Sequence, residues 1–444
     1  MIEALYLHIP FCVSRCSYCD FATSACADEA RMDAYVEALC LQLRRAAKAG
    51  LLGQVKTIYI GGGTPTHLGS RRLNTLVYTI SLSVNLENVV EFTCEANPES
   101  IDERMVADLF SLGVNRFSIG AQSFDDAVLR GYGRIHDAAA IDAALAAVRM
   151  RTNNISLDLI CGGSGQSMES WMRSVEHAID ADVPHVSIYP LTLEGGTPLT
   201  RRVEAGECEV ADDDLQADMM LAASELLESA GFERYEVASY AKPGYPSHHN
   251  TAYWTGAEYL GLGAGASSML SAETAEQVID AGLFDIGDDT SEEAGWWRSR
   301  SDSPELARER HRRSRLVRRR EASPVGNSLC ASTTRLIQIG SGIARMRIAT
   351  SSDDVAFSQS FGRPHVELEM LNSFESAVED LMLGMRRSIG VSVEHVRAVE
   401  GAPAVFERLE ALGLVRQREG RLVPTERGWL LGNEVYGAIW SLAS

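Results

Sequence analysis

The chain has no apolar run near the roughly 20 residues that a membrane helix needs, so no spanning segment is expected. Its first residues, Met1 to Tyr6, carry no basic region and no small-residue cleavage site, so no secretory leader is expected. Positive charge is in deficit: 41 Lys and Arg face 61 Asp and Glu, for a formal net charge of −20. Phosphate backbones are gripped by basic faces, which argues against nucleic acid as the main partner. The nine cysteines are odd in number and form no disulfide-like framework, which fits a reducing cytoplasm. Beyond one cluster near the start there is no further CxxC and no HxxxH, so the paired ligand sets of most zinc sites are missing.

What is present is ordinary in bulk. A hydrophobic share of 45% and a charged share of 23% belong to a soluble globular chain. At 444 residues there is room for a catalytic domain of about 250 residues or more and a smaller one.

The unusual feature is Cys12, Cys16 and Cys19, a CxxxCxxC pattern placed directly after the apolar stretch Ala4 to Ile9. Pro10 ends that strand, so the cysteines fall on the loop at its C-terminal end. Thiolates are soft ligands for zinc or iron–sulfur clusters. Three of them can hold three irons of a four-iron cluster and leave the fourth open to a ligand that is not protein. The alternative is three buried cysteines that merely cluster.

Periodicity then gives strands at 4–9, 55–60, 89–95, 116–120, 155–160 and 185–191. They alternate with amphipathic helices at 28–49, 73–84, 103–112, 137–150 and 167–181. Strands separated by helices call for parallel βαβ units. The pattern changes before eight units are complete, so the expected α/β fold is an incomplete (β/α)6 barrel. In such barrels chemistry collects on loops at the C-terminal strand ends. Gly61-Gly62-Gly63, Glu95, Gln122 and Asp158 all fall at or near those ends. Glycines let a ligand approach the backbone, and carboxylates accept from hydroxyl or amino groups.

The YLHIPFC run with its three cysteines, followed by Gly61-Gly-Gly-Thr-Pro-Thr66, resembles the radical S-adenosylmethionine (SAM) proteins. It is most similar to the group containing oxygen-independent coproporphyrinogen III oxidase and the haem chaperone HemW, over about residues 3–270 and again from about 366 to the end. The resemblance implies a [4Fe–4S] cluster on the three cysteines and SAM on its open iron, where one-electron reduction yields methionine and a 5′-deoxyadenosyl radical. It places SAM contacts at Tyr6, Gly62, Gly63, Thr64, Glu95, Gln122, Arg134 and Asp158, although Arg134 and Asp158 could instead form a structural ion pair. Two departures touch this site. Asp158-Leu-Ile-Cys-Gly-Gly-Ser-Gly-Gln166 has Gly163 and Ser164 where relatives carry Leu and Pro, which is expected to loosen the loop. Ser267 stands where relatives usually carry His.

His249-Asn-x-x-Tyr253-Trp254 resembles the HNxxYW motif of HemW-type proteins, which implies haem binding with His249 as axial ligand. Imidazole ligates haem iron well, and Tyr and Trp offer flat faces to a macrocycle. The alternative is a loop histidine hydrogen-bonded to backbone beside a core aromatic pair.

Residues 271–365 look like a divergent insertion or linker. Arg298 to Arg320 holds ten arginines against Asp302, Glu305 and Glu309, and 323–360 is serine-rich and weakly periodic, so low order is expected. A solvated basic helix or linker is the plainer reading, with peripheral contact to an anionic membrane left open. From 374 onward, three helices, a hairpin at Glu419-Gly420 and a helix capped by Thr425 suggest a winged-helix-like domain, 366–444. Over 374–444, ten acidic residues against eight basic ones point to docking or covering rather than DNA binding.

Three functions follow. The first is a cytoplasmic haem chaperone that binds haem, the cluster and SAM, takes electrons from a donor and delivers haem to an acceptor protein. The second is an oxygen-independent coproporphyrinogen III oxidase of porphyrin biosynthesis. The third is a remnant whose cluster is only structural. The oxidases resemble CxxxCxxCxC, whereas Phe21 stands at the last cysteine position here, which favours the chaperone.

Overall fold

The computed structural model describes residues 1–285 and 343–443. The arginine-rich stretch lies outside the described residues. Twelve strands form one sheet among them. In chain order these are β1 (Ala4–Ile9), β2 (Thr57–Gly62), β3 (Glu91–Ala96), β4 (Arg116–Gln122), β5 (Ile155–Cys161), β6 (His185–Pro190), β7 (Glu233–Arg234), β8 (Ser239–Ala241), β9 (Tyr259–Leu262), β10 (Ser267–Ser271), β11 (Ile343–Thr350) and β12 (Val366–Asn372). Spatially they run β12-β11-β10-β9-β1-β2-β3-β4-β5-β6-β8-β7.

The six expected strands, β1 to β6, lie side by side in chain order and all run parallel. The intervening helices start where their caps dictate. Asp28, Asp102, Asp137 and Ser167 each accept from a backbone N–H of the first turn. Such a cap stabilises a helix by about 1 kcal/mol.

Parallel strands usually read as continuous apolar runs. These do not. Leu5 and Leu7, Ile58 and Ile60, Phe92 and Cys94, Phe117 and Ile119, and Leu157 and Leu159 join the main hydrophobic cluster with the helices. Their alternate neighbours are polar and bond across strands on the other face. Tyr59 donates to Glu95 (2.7 Å), Ser118 to Asp158 (3.1 Å) and Arg116 to Thr93 (3.4 Å), and Ser156 meets His185 (2.7 Å). The sheet therefore encloses a polar interior.

The sheet extends past the barrel strands: β9 pairs parallel with β1, β10 to β12 continue antiparallel beyond it, and β8 and β7 extend the other edge. Two expectations need correction. The chain after 342 is not weakly ordered. Ile343–Thr350 is an eight-residue strand, and the helix Asp354–Gln359 docks on the first helix, Glu29–Lys48. Arg31 grips Asp354 through two hydrogen bonds of 2.7 and 2.6 Å, and Arg45 donates to Gly362 O (3.0 Å). The expected boundary at 366 also shifts, because β12 belongs to the main sheet. A second hydrophobic core, built on Val378, Leu381, Phe406, Leu409 and Ile439, begins only with the helix Ser373–Gly384. There the three-stranded wing (Val391–Ser392, Val415–Arg418, Arg421–Pro424) and its helices match the winged-helix-like expectation.

Ile348 of β11 is fully buried, so Ile348→Ala should cost about 2–5 kcal/mol in a denaturant titration of the whole chain. An unchanged midpoint would mean that this segment is not part of the sheet.

Candidate functional site

The cysteine loop is clamped at its base. Phe11–Cys12 pairs parallel with Ser24–Ala25, so the loop leaves and returns side by side. Its middle is braced by Ser17, whose N–H donates to Tyr132 O (2.9 Å) and whose carbonyl accepts from Leu199 N–H (2.8 Å). Cys12, Cys16 and Cys19 are half-buried free thiols. Burial pushes the Cys12 thiol up, and nearby Cys16 and Cys19 add to that push, against a hydrogen bond from Thr64. Three soft sulfurs on one loop suit a positively charged partner. Among the described residues no three His, Cys, Asp or Glu close on a single metal ion. An open loop of three thiols fits a larger polynuclear cluster instead. Cys26 and Cys40 are buried, and Cys26 N–H donates to Cys12 O (3.0 Å) at the base of the loop.

The glycine triplet works mainly as a joint. Gly63 N–H donates to Ile9 O (2.7 Å) and Thr64 N–H to Phe11 O (2.8 Å), which pins the chain leading into Cys12. A Cβ on Gly63 would stand 2.7 Å from Phe11 O, and one on Gly62, at φ +113°, 2.6 Å from the His8 ring. Only glycine fits this corner. From it runs a polarised relay: Arg134 donates to Asn97 Oδ1 (3.3 Å), Asn97 Nδ2 to Thr64 Oγ1 (3.1 Å), and Thr64 Oγ1 to Cys12 Sγ (3.5 Å). Asn97 is absent from the expected set; its one sequence signal is that it follows Glu95 by two positions at the same strand end.

The expected SAM contacts gather at this rim and along the polar interior. Gln122 ends β4 with φ 65°, a left-handed conformation uncommon outside glycine, at a register shift between β4 and β5. A Cβ on Gly120 would meet Gln122 Nε2, Arg134 Nη2 and Asn97 Oδ1 within 2.9–3.1 Å, so the three polar groups converge there. Arg134 Nε is buried without a partner, as an anionic ligand would require. Arg134 and Asp158 do not form the alternative ion pair: Arg134 binds Asn97 and Gly120 O, and Asp158 accepts from Ser118. Tyr6 donates to His8 Nδ1 (2.9 Å), whose Nε2–H reaches Ala22 O (3.0 Å).

Glu95 accepts from Tyr59 (2.7 Å) and Gly62 N–H (3.0 Å). Burial pushes its carboxyl up to about 7, with Asp158 adding to the rise while those two donors oppose it. Asp158 is likewise raised, mainly by burial. Arg116, 2% exposed, supplies the counter-charge: it pulls Glu91, Glu95 and Asp158 down. Its Nε has no partner. Arg116 opens β4, at the opposite end from the C-terminal rim, and so escapes a reading that looks only at that rim; the alternation Arg116-Phe-Ser-Ile-Gly120 is the available signal.

A cavity of about 650 Å3 opens beside this interior, within the usual range for small-molecule sites. Tyr6, Gly62 and Glu95 line one part, Tyr253 and Trp254 another, and Met382, Leu383 and Arg386 of the C-terminal unit a third. His249 is not on its wall. It is 0% exposed, its Nδ1 meets Thr57 Oγ1 (2.9 Å) and its Nε2 meets Tyr253 OH (2.9 Å). Burial pulls its pKa down to about 4. With both nitrogens engaged, the ring has none free for iron in this conformation; its partners are side chains rather than the backbone of the alternative reading, and it stands on a helix rather than a loop. Glu91 holds the short helix His248–Trp254 in place by accepting from Ser247 Oγ, His248 N–H and His249 N–H (2.8–3.1 Å).

The loop at Gly163 is not loosened. Tyr132 fills the space, since a Cβ on Gly163 would stand 2.5 Å from its hydroxyl. Gln166 closes the loop by accepting from Gly163 N–H (3.2 Å). Ser267 lines the cavity.

The profile of the Radical SAM superfamily matches residues 6–178. The chain is 37% identical over 270 residues to the heme chaperone HemW of Lactococcus lactis, covering 61% of this chain and 70% of that protein. It is 39% identical over 269 residues to the HemW of Escherichia coli, covering 60% and 70%. The HemW of Bacillus subtilis aligns over 98% of this chain and 99% of its own length at 28% identity. Coproporphyrinogen III oxidase (HemN) from Escherichia coli, a radical SAM enzyme, superposes with a TM-score of 0.70 over 99% of this chain and 90% of its own. At 17% identity that likeness speaks for the fold alone.

The raised Glu95 carboxyl has a pH signature. Between about pH 4.5 and 7 the unfolded chain loses this proton while the folded chain keeps it, so folding weakens as pH rises. Glu95→Gln has no proton to lose. Its stability relative to the parent should improve by roughly 1–3 kcal/mol from pH 5 to pH 8, because each tenfold difference in proton affinity is worth about 1.4 kcal/mol. A pH-independent difference in urea titrations would mean that Glu95 titrates as an ordinary carboxylate.

Proposed function

The chain belongs to the HemW family of radical SAM proteins, and from that premise we propose that it is a haem chaperone, binding haem beside a SAM-loaded [4Fe–4S] cluster and passing it to an acceptor protein. The observation that carries this reading is the shared cavity: residues expected to hold SAM (Tyr6, Gly62, Glu95) and the HNxxYW aromatics (Tyr253, Trp254) line one space. Members of the superfamily use SAM and an iron–sulfur cluster. Here Cys12, Cys16 and Cys19 are the cluster ligands.

Around the cluster, the protein's own groups divide the work. The Thr64 hydroxyl donates to Cys12 Sγ and so favours the ionised sulfur that metal binding needs. Arg134, oriented by Asn97, presents a cation to the SAM carboxylate; Glu95, Gln122 and Asp158 offer acceptors or amide groups to its amino and ribose groups. When bound, the cluster supplies the electron for SAM cleavage. Phe21 and Ala22 of the cluster loop and Met382, Leu383 and Arg386 of the C-terminal unit line the cavity. Tyr253 and Trp254 offer the porphyrin an apolar face, and His249 fixes Tyr253 from behind through its Nε2.

No helix among the described residues is long and apolar enough to cross a membrane. A cytoplasmic location fits the free thiols. An electron donor and a haem-accepting protein complete the partners. The oxidase reading lacks support at Phe21, which lies 70% exposed at the cavity mouth where the oxidases resemble a further cysteine.

After anaerobic reconstitution, Cys16→Ala should lose the broad visible charge-transfer absorption and most bound iron, while Cys40→Ala keeps both. A full four-iron cluster in the Cys16 variant would refute the ligand assignment. In a haem titration, His249→Gln should bind more weakly, because Tyr253 loses its anchor, yet leave the Soret maximum in place. A displaced Soret band would restore imidazole as the axial ligand. The reduced protein with SAM should form no protoporphyrinogen from coproporphyrinogen III; turnover at enzymatic rates would make it the oxidase.

A further inference from the structure

Four charged side chains line the cavity: Glu95, Arg347, Glu379 and Arg386. Three have their charge matched inside the protein. Glu95 takes two donors. Arg347 binds Glu369 (2.8 Å) and Glu379 (2.7 Å), and Glu379 also accepts from Arg345 (2.5 Å). Arg386 differs. No carboxylate lies within ion-pair distance of it among the described residues, and its Nε is buried with no hydrogen-bond partner. Glu236, an acidic group nearby, is turned to Trp254 Nε1 (3.1 Å).

What holds Arg386 is aromatic. Its guanidinium carbon sits 4.2 Å from the Tyr436 ring centre and 5.1 Å from that of Trp254. Its backbone N–H donates to Leu383 O (3.0 Å), in the turn that ends the helix Ser373–Gly384. Packing against ring faces fixes the plane of the guanidinium while leaving its N–H edge without an anion. An unmatched cation in a largely apolar cavity is costly unless a ligand brings the opposite charge.

We propose that Arg386 is the carboxylate receptor of the porphyrin site, taking a propionate of the bound macrocycle in a two-pronged hydrogen bond. The assignment rests on the haem-binding reading of this cavity. Haem is a flat apolar ring with two carboxylates on one edge, and the cavity offers the matching pair: aromatic and methionine side chains beside one unmatched guanidinium. Because Arg386 belongs to the C-terminal unit and Trp254 to the barrel, a bound propionate would also tie the two together. SAM carries a carboxylate of the same chemistry and is the competing source of the anion.

Haem and its iron dimethyl ester, which has no free carboxylate, are titrated separately into the full-length protein and into Arg386→Gln and Arg386→Lys. A charge-assisted pair predicts that the parent prefers haem over the diester by roughly tenfold or more. Arg386→Gln should lose that factor for haem and keep the parent's affinity for the diester, with Arg386→Lys between them. SAM affinity of the reconstituted Gln variant should be unchanged. Equal haem affinity in parent and Gln variant would overturn the assignment, and so would a parallel loss for haem and diester, which would mark a packing role. Weaker SAM binding with unaltered haem binding would give the cation to SAM. A parent that binds neither porphyrin would sink the haem reading itself, whereas a parent that binds both equally sinks only the role of Arg386.

Discussion

One buried guanidinium balances the interior of this protein. Arg116 opens β4 on the sheet's polar face, donates to Thr93, and pulls three enclosed carboxylates, Glu91, Glu95 and Asp158, toward ionisation against the cost of burial. Each of those carboxylates then does something local. Glu91 caps the helix that carries the HNxxYW aromatics. Glu95 ties β3 to the glycine corner of β2, and Asp158 joins β4 to β5. Without an enclosed cation these groups would protonate or seek water, and the interior would lose the charge pattern that suits SAM.

The second constraint is steric. The cluster loop depends on Gly63 and Thr64 lying against Ile9 and Phe11 at hydrogen-bond distance, which no side chain at 63 would permit. That contact brings the Thr64 hydroxyl to Cys12 and, through Asn97, links the expected cluster ligand to Arg134. The cysteine loop and the Arg134 corner are thus one hydrogen-bonded unit.

Much of this was legible in the chain. The cysteine loop, the six parallel strands and the residues at their C-terminal ends follow from local pattern and period, which a sequence carries openly. What was not legible depends on distant partners. His249 can be found from its motif, but which way its ring nitrogens turn is decided by Thr57, 192 residues away. The strand Ile343–Thr350 has weak alternation of its own and gains order by pairing between β10 and β12. Arg116 opens β4, opposite the C-terminal strand ends where chemistry is expected, and only the polar alternation along β3, β4 and β5 held the information. Gly163 reads as a loosened loop by itself, because the ring that fills its space, Tyr132, comes from an earlier helix end.

On the proposed reading, haem occupies the cavity lined by the barrel and the C-terminal unit, and the cluster sits on the cysteine loop, whose Phe21 and Ala22 reach that lining. Iron anomalous diffraction from anaerobically reconstituted, haem-loaded crystals tests this directly. A four-iron peak held by Cys12, Cys16 and Cys19 is predicted, with a fifth iron in the cavity lined by Tyr253, Trp254 and Arg386. A haem iron found outside that cavity, with the four-iron peak in place, would contradict it.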